Sequence, residues 1–137
     1  MTKSQKFKTI AYWVTTIFGP TSFIIGGTLF LAKHEQPLAQ LTALGLPAYM
    51  LTILGFWKLA GAIVITIPGF PLLKEWAYAG FFFHLTGAAA VHALHGDSLS
   101  VILQPLAFLI LVIASWALRP ENRKLPSVGK NRSLPVN

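Results

Sequence analysis

The sequence contains no cysteine. The chain therefore forms no disulfide and supplies no thiolate to a metal ion, an iron–sulfur cluster or a thiol-based redox relay. Any electron or proton chemistry must use histidine, tyrosine, tryptophan, carboxylates or a bound cofactor. No nucleophile with its base, no Gly-rich phosphate loop and no pair of catalytic carboxylates is recognisable, so the sequence indicates no catalytic residues.

Charged residues are also scarce. They make up 11% of the 137 residues, against roughly 25% in a soluble globular domain. The net charge is nevertheless +7, a balance that suggests either nucleic acid or a membrane surface as the partner. Because 54% of the residues are hydrophobic and the mean hydropathy is +0.62, the composition favours the lipid bilayer and argues against nucleic acid.

Long apolar runs are what the sequence has in abundance. A helix needs about 20 residues to cross about 30 Å of hydrocarbon, and backbone groups in lipid must be satisfied within the segment. We therefore predict an all-α fold, an integral membrane four-helix bundle occupying residues 1–119, with kinks at Gly19-Pro20 and Gln104-Pro105. The predicted transmembrane helices are residues 10–32, 47–67, 76–96 and 98–118.

The distribution of basic residues predicts the orientation. Four spans put both termini on one side, and nine of the 11 Lys and Arg residues fall there, whereas the opposite side has only Lys33. The positive-inside rule then places both termini in the cytoplasm. We expect a multi-pass protein of the bacterial inner (cytoplasmic) membrane.

Two segments lie outside the predicted spans. Residues 33–46 form either a short helix on the outer interface or an irregular apolar loop. Residues 120–137 are basic and contain proline, and we predict a disordered cytoplasmic tail near anionic lipid headgroups.

Lys58 is the one charge predicted at mid-depth. If the second and third spans form an antiparallel hairpin, Lys58 is level with His84. A charge there costs at least about 2.5–3.5 kcal/mol unless it is solvated or paired. The simplest arrangement is a neutral His84 that accepts a hydrogen bond from Lys58. Glu75 lies roughly 14 Å of helix rise below Lys58, so a direct pair would require snorkelling. The functional interpretation of Lys58 is contact with a substrate, a quinone or an anion, or a role in a proton relay. The structural alternative is a buried polar contact or a snorkelled lysine.

A second polar group is expected at the outer end of the third span. His92 and His95 are one helical turn apart and Asp97 follows, with His34 and Glu35 at the same height. These residues form either a pH-sensitive or ligand-gating mouth or simply the polar residues of an interface. We predict no metal site, because nothing fixes these helices as neighbours. Only one span carries histidine in its core, which argues against a bis-histidine haem.

Residues 45–97 resemble the DoxX-like family of small four-helix membrane proteins. The strongest part is residues 73–81, Leu-Lys-Glu-Trp-Ala-Tyr-Ala-Gly-Phe, and the resemblance extends from the Gly-Leu-Pro-Ala-Tyr run at 45–49 to Gly96-Asp97. The family is similar to subunits of thiosulfate:quinone oxidoreductases and to membrane partners of oxidative-stress enzymes, and many members have no assigned activity. The resemblance implies four-helix architecture and marks as positions of interest Lys58, Glu75, Trp76 and His92.

Three functions are consistent with these observations. The first is binding of a small hydrophobic or quinone-like ligand, or of a partner protein, within the bundle. The second is a membrane subunit of a quinone-linked oxidoreductase, with quinone as the cofactor. The third is a structural or chaperone-like partner that assembles with another membrane protein or with copies of itself. The candidate ligand-binding residues are Lys58, His84, Glu75, Trp57, Trp76 and His92.

Overall fold

The computed structural model describes residues 1–127, which fold into six α-helices. Their bounds are Lys3–Phe18 (α1), Phe23–Leu31 (α2), Glu35–Ala43 (α3), Tyr49–Thr66 (α4), Pro71–His95 (α5) and Leu99–Ala117 (α6). Four stretches are long and apolar enough to cross a membrane, namely Lys3–Leu31, Tyr49–Thr66, Pro71–His95 and Leu99–Ala117. This confirms the predicted all-α fold with four transmembrane segments.

The first span is broken where the sequence predicts a kink. α1 ends at Phe18, a 3-10 helix spans Pro20–Ser22, and α2 begins at Phe23. Gly19 permits the break, because a Cβ atom there would lie 2.5 Å from the Thr15 carbonyl oxygen and 2.9 Å from the Leu111 Cβ. α6, in contrast, continues as one α-helix through Pro105.

The connection between the first two spans contains the short helix α3, the first of the two alternatives. The His34 ring nitrogen Nδ1 accepts a hydrogen bond from the Gln36 backbone N–H at the helix start. Pro37 and Leu41 are the buried residues of this helix.

Close backbone contact joins α2 to α4. A Cβ atom at Gly27 would lie 2.8 Å from the Leu59 backbone nitrogen and 2.9 Å from the Gly55 carbonyl oxygen. Small residues allow such approach between helices in membranes. α5 packs along α6, and α1 also packs on α6. The contact between α4 and α5 is smaller than the contact between α5 and α6, although both pairs are consecutive. The core residues between the helices are Phe23, Ala62, Ile65, Tyr78, Phe81, Leu85 and Val112.

The helix boundaries differ from the predicted spans at two places. α1 already begins at Lys3, where Thr2 and Gln5 form a capping box, and α5 begins at Pro71. The predicted tail opens with a 3-10 helix, Glu121–Arg123, and its part from 128 to 137 lies outside the described residues.

Candidate functional site

A cavity of about 360 Å³ lies between α4 and α5. Its walls are almost entirely apolar, and its two ionisable residues are Lys58 from α4 and His84 from α5. Trp57 and Trp76 also line it, with 66% and 64% of their surfaces exposed. Four of the six predicted ligand-binding residues are therefore brought together around one space.

Two glycines lie in the wall of this cavity. Gly61 and Gly80 both line it, one from each helix. A Cβ atom at Gly80 would meet nothing within 4 Å, and one at Gly61 would meet the Phe81 ring at 3.1 Å. The absence of a side chain leaves the space open at Gly80, whereas at Gly61 it lets the Phe81 ring pack closely against α4.

The Lys58 ammonium lies against aromatic rings of α2. Its Nζ lies 3.6 Å from the centroid of the Phe30 ring and 5.6 Å from that of Phe23. Within residues 1–127 it makes no hydrogen bond, so the predicted bond to His84 is not formed. The negative face of an aromatic ring attracts a cation, and in this arrangement two rings take the place expected for the imidazole.

Glu75 lies apart from Lys58 and contacts α6. Its Oε1 accepts a hydrogen bond from Arg119 Nη2 at 2.6 Å, and its Oε2 accepts one from Trp116 Nε1 at 2.9 Å. It borders a second groove, of about 470 Å³, between α5 and α6. Trp76, the next residue, lines the α4–α5 cavity instead. Glu75 is thus engaged in an ion pair on a different face of the bundle.

His92 is also separate from the cavity, at the far end of α5. His92 Nδ1 lies 2.6 Å from Asp97 Oδ2, and His95 Nδ1 lies 2.8 Å from Asp97 Oδ1. Hydrogen bonds from His92 and His95 hold the pKa of Asp97 below its ordinary value. In the described part of the chain, no group of three His, Cys, Asp or Glu side chains is arranged to hold a metal ion.

Two basic residues that the sequence predicts only as surface charges cap the end of α4. The buried Lys74 ammonium donates hydrogen bonds to the carbonyl oxygens of Val64 and Ile67. Arg123 Nη1 donates to the carbonyl oxygen of Ile65 at 3.0 Å. The last carbonyls of a helix lack internal partners, and cations are favoured beside them. Pro68, just after α4, is the sequence signal that could have indicated that the last carbonyl groups of α4 require donors from elsewhere in the chain.

A buried chain of hydroxyl groups joins three helices near the same end. Ser115 Oγ lies 2.6 Å from Thr16 Oγ1 and 2.8 Å from Tyr78 Oη. The Arg119 guanidinium lies over the Tyr78 ring, 5.1 Å from its centroid. Such hydrogen bonds between helices stabilise their association in lipid. This end of the bundle is therefore a polar clamp, whereas the α4–α5 cavity is a space with room for another molecule and with ionisable groups in its wall.

The geometry of the cavity suits binding better than covalent chemistry. It contains an ammonium and an imidazole, which can donate hydrogen bonds or exchange protons, but it contains no carboxylate and no hydroxyl nucleophile. An apolar molecule with one polar end matches such a lining.

Comparison with known protein families gives a match. The DoxX-like family matches residues 14–115, which is more than half of the chain and covers all of the cavity residues. This confirms the resemblance predicted from residues 45–97. No curated protein and no solved structure matches the sequence.

Proposed function

The chain belongs to the DoxX-like family, and we propose that this multi-pass membrane protein binds a small, mainly apolar molecule in the cavity between α4 and α5. The observation that supports the proposal is the combination of an apolar space with two convergent ionisable groups. Ligand sites are typically concave, mostly apolar and about 300–1,000 Å³ in volume, with a few polar groups that fix orientation. The α4–α5 cavity meets each of these criteria.

The ligand reaches the cavity from the bilayer. Trp57 and Trp76 are mostly exposed, and they belong to α4 and α5, two helices that are long and apolar enough to lie in lipid. A molecule dissolved in the hydrocarbon region can enter between α4 and α5 without crossing the polar clamp at the helix ends. Apolar ligands, which concentrate in the bilayer, are therefore the natural occupants.

Native mass spectrometry of the detergent-purified protein tests this proposal. We expect the wild type to carry a copurified small molecule, and the Gly80→Leu variant to lose it because the added side chain enters the cavity. Gly87→Leu is the matched control, since a Cβ atom there also meets nothing within 4 Å but Gly87 does not line the cavity. Equal occupancy in the wild type and Gly80→Leu would show that the molecule binds elsewhere.

A quinone-linked oxidoreductase subunit is the second candidate. The observation in its favour is that an ammonium and an imidazole line one apolar cavity, where either could donate a hydrogen bond to a quinone carbonyl oxygen. Electrons would have to come from a partner protein or another cofactor. Identification of a copurified quinone that is lost in Gly80→Leu would support this candidate, and a copurified molecule without redox chemistry would exclude it.

We also propose that the membrane is the bacterial inner membrane and that both termini are cytoplasmic. The charge asymmetry of the loops supports this orientation. Because the chain has no cysteine, a single introduced cysteine can be labelled unambiguously. Ser4→Cys should react with a membrane-impermeant maleimide only after the cells are opened, and Ser98→Cys should react in intact spheroplasts. The reverse pattern would overturn the orientation.

A further inference from the structure

Lys58 defines the chemical class of the ligand. We propose that the molecule in the α4–α5 cavity is an amphiphilic monocarboxylate, a long-chain fatty acid, whose carboxylate binds the Lys58 ammonium. This inference rests on the proposed function, and it adds the charge and the orientation of the ligand.

No acidic side chain of the protein is a counter-charge to Lys58 in the cavity. Its four acidic residues all lie in the described part of the chain, and none of them lines the cavity. Glu75 pairs with Arg119, Asp97 with two histidines, and Glu121 with Lys124. Glu35 is in the first turn of α3, which is outside the spans. The cation near the middle of α4 is therefore left without a carboxylate from residues 1–127.

The two aromatic rings compensate for the charge only in part. Phe30 and Phe23 offer Nζ the faces of their π-systems, an attraction that lowers the cost of the cation without cancelling it. A carboxylate would cancel the charge and accept a charge-assisted hydrogen bond, which is stronger than a bond to a neutral acceptor. A neutral ligand head would leave the net charge in the membrane unchanged. One lysine also matches one negative charge, which favours a monocarboxylate over a doubly charged phosphate.

The shape of the cavity orients the molecule. The ionisable residues lie near the middle of the membrane-spanning helices, and the lining continues past Gly61 and Gly80 to Val64 and Trp76. Val64 is about 9 Å of helix rise from Lys58, towards the side of the chain termini. The carboxylate would thus sit deep in the membrane, with His84 as a second donor beside it. The hydrocarbon chain would run along the apolar lining towards Trp76.

Two ligands with the same hydrocarbon chain separate the effect of the head-group charge on affinity from the effect of the chain. Oleate and oleyl alcohol have the same hydrocarbon chain, and their binding to the purified protein can be titrated by native mass spectrometry. The titration is compared at neutral and alkaline pH, and at neutral pH, where the lysine keeps its proton, we expect the wild type to bind oleate at least tenfold more tightly than oleyl alcohol. Lys58→Met should bind the two ligands equally, and Lys58→Arg should restore the preference for oleate. Circular dichroism and a monodisperse elution profile establish that each variant is folded.

The outcomes distinguish the inference from the function on which it rests. Equal affinity for the two ligands in the wild type, or an oleate preference that persists in Lys58→Met, would overturn the carboxylate assignment. The cavity as a binding site would still stand if Gly80→Leu weakened both ligands and Gly87→Leu weakened neither. If Gly80→Leu weakened neither ligand, the binding site itself would be wrong. A copurified quinone that neither ligand displaces would likewise overturn the assignment of a fatty acid as the ligand.

Discussion

The Lys58 ammonium nitrogen lies 3.6 Å from the centroid of the Phe30 ring, and this contact joins the middle of α4 to the end of α2. It occurs just beyond the crossing of Gly27 and Gly55, where the two backbones are closest. The same lysine also lines the cavity between α4 and α5. Lys58 therefore lies between the closely packed pair α2–α4 and the loosely packed pair α4–α5. Mutation can separate its contribution to stability from its contribution to ligand binding.

Replacing Lys58 by methionine tests whether the lysine serves stability. A charge in a membrane helix costs at least about 2.5 kcal/mol, and a desolvated cation–π contact returns about 2 kcal/mol. Since the contact offsets only part of this cost, Lys58→Met should raise the free energy of unfolding of the ligand-free protein, by less than about 1 kcal/mol. Reversible unfolding in mixed micelles measures the difference. A loss of several kcal/mol would mean that the lysine mainly holds the fold together.

The α2–α4 crossing should tolerate no added methyl group at Gly27. A Cβ atom there would lie 2.8 Å from backbone nitrogen, which cannot move aside as a flexible side chain can. Gly27→Ala should therefore destabilise the protein by about 1–3 kcal/mol, the usual cost of overpacking. Gly26→Ala is the control, because its Cβ atom would have no neighbour nearer than the Phe23 ring at 3.7 Å. Equal unfolding midpoints for the two variants would show that the helices are farther apart.

Lys74 should matter for stability far more than its charge alone suggests. Its buried ammonium caps the carbonyls of Val64 and Ile67, and removing a hydrogen-bonded partner from buried groups costs about 1–3 kcal/mol. Lys74→Met should lower the free energy of unfolding by that amount. Lys8→Met removes the same charge from the same side of the membrane, but from an exposed position, and should change it by less than about 0.5 kcal/mol. Similar losses in both variants would assign the effect to net charge.

The Asp97 cluster predicts a pH dependence at the end of α5. His92 and His95 hold the pKa of Asp97 below its ordinary value, which is about 3.9 in a flexible chain. The ionised carboxylate therefore contributes stability above about pH 4, and the contribution disappears as the pH falls through the lowered pKa. Wild-type stability should decrease over this acidic range more than that of Asp97→Asn. Glu35→Gln, which removes an exposed carboxylate, should follow the wild type; parallel curves for wild type and Asp97→Asn would contradict the cluster.

The sequence predicts depth in the membrane better than it predicts rotation about a helix axis. Uncharged runs located the four spans. Counting along an antiparallel hairpin placed Lys58 level with His84, and in the structure both residues line one cavity. Glu75 and Trp76 are adjacent in the chain, but successive residues on a helix point about 100° apart. Glu75 consequently contacts α6 while Trp76 lines the cavity. Only the packing of the helices decides which residue faces which neighbour.

The role of Lys74 was hidden for a related reason. The positive-inside rule counts basic residues by the side of the membrane on which they lie. It does not distinguish a lysine that contacts lipid headgroups from one that binds helix carbonyl groups. α5 also starts at Pro71, before the predicted residue 76, which places Lys74 inside the helix beside the end of α4. The cavity between α4 and α5 could not be predicted either, since it depends on how the two helices pack against each other in space.

Tryptophan fluorescence provides the most direct measurement of the central claim, that an apolar molecule occupies the α4–α5 cavity. Trp57 and Trp76 both line this cavity, and bromine atoms quench indole fluorescence on contact. Titration with 9,10-dibromostearate should quench the wild type and Gly87→Leu in a saturable way that excess oleate reverses, and Gly80→Leu should lose this saturable component. Quenching that rises linearly with the probe in all three proteins, without reversal by oleate, would contradict a binding site between α4 and α5.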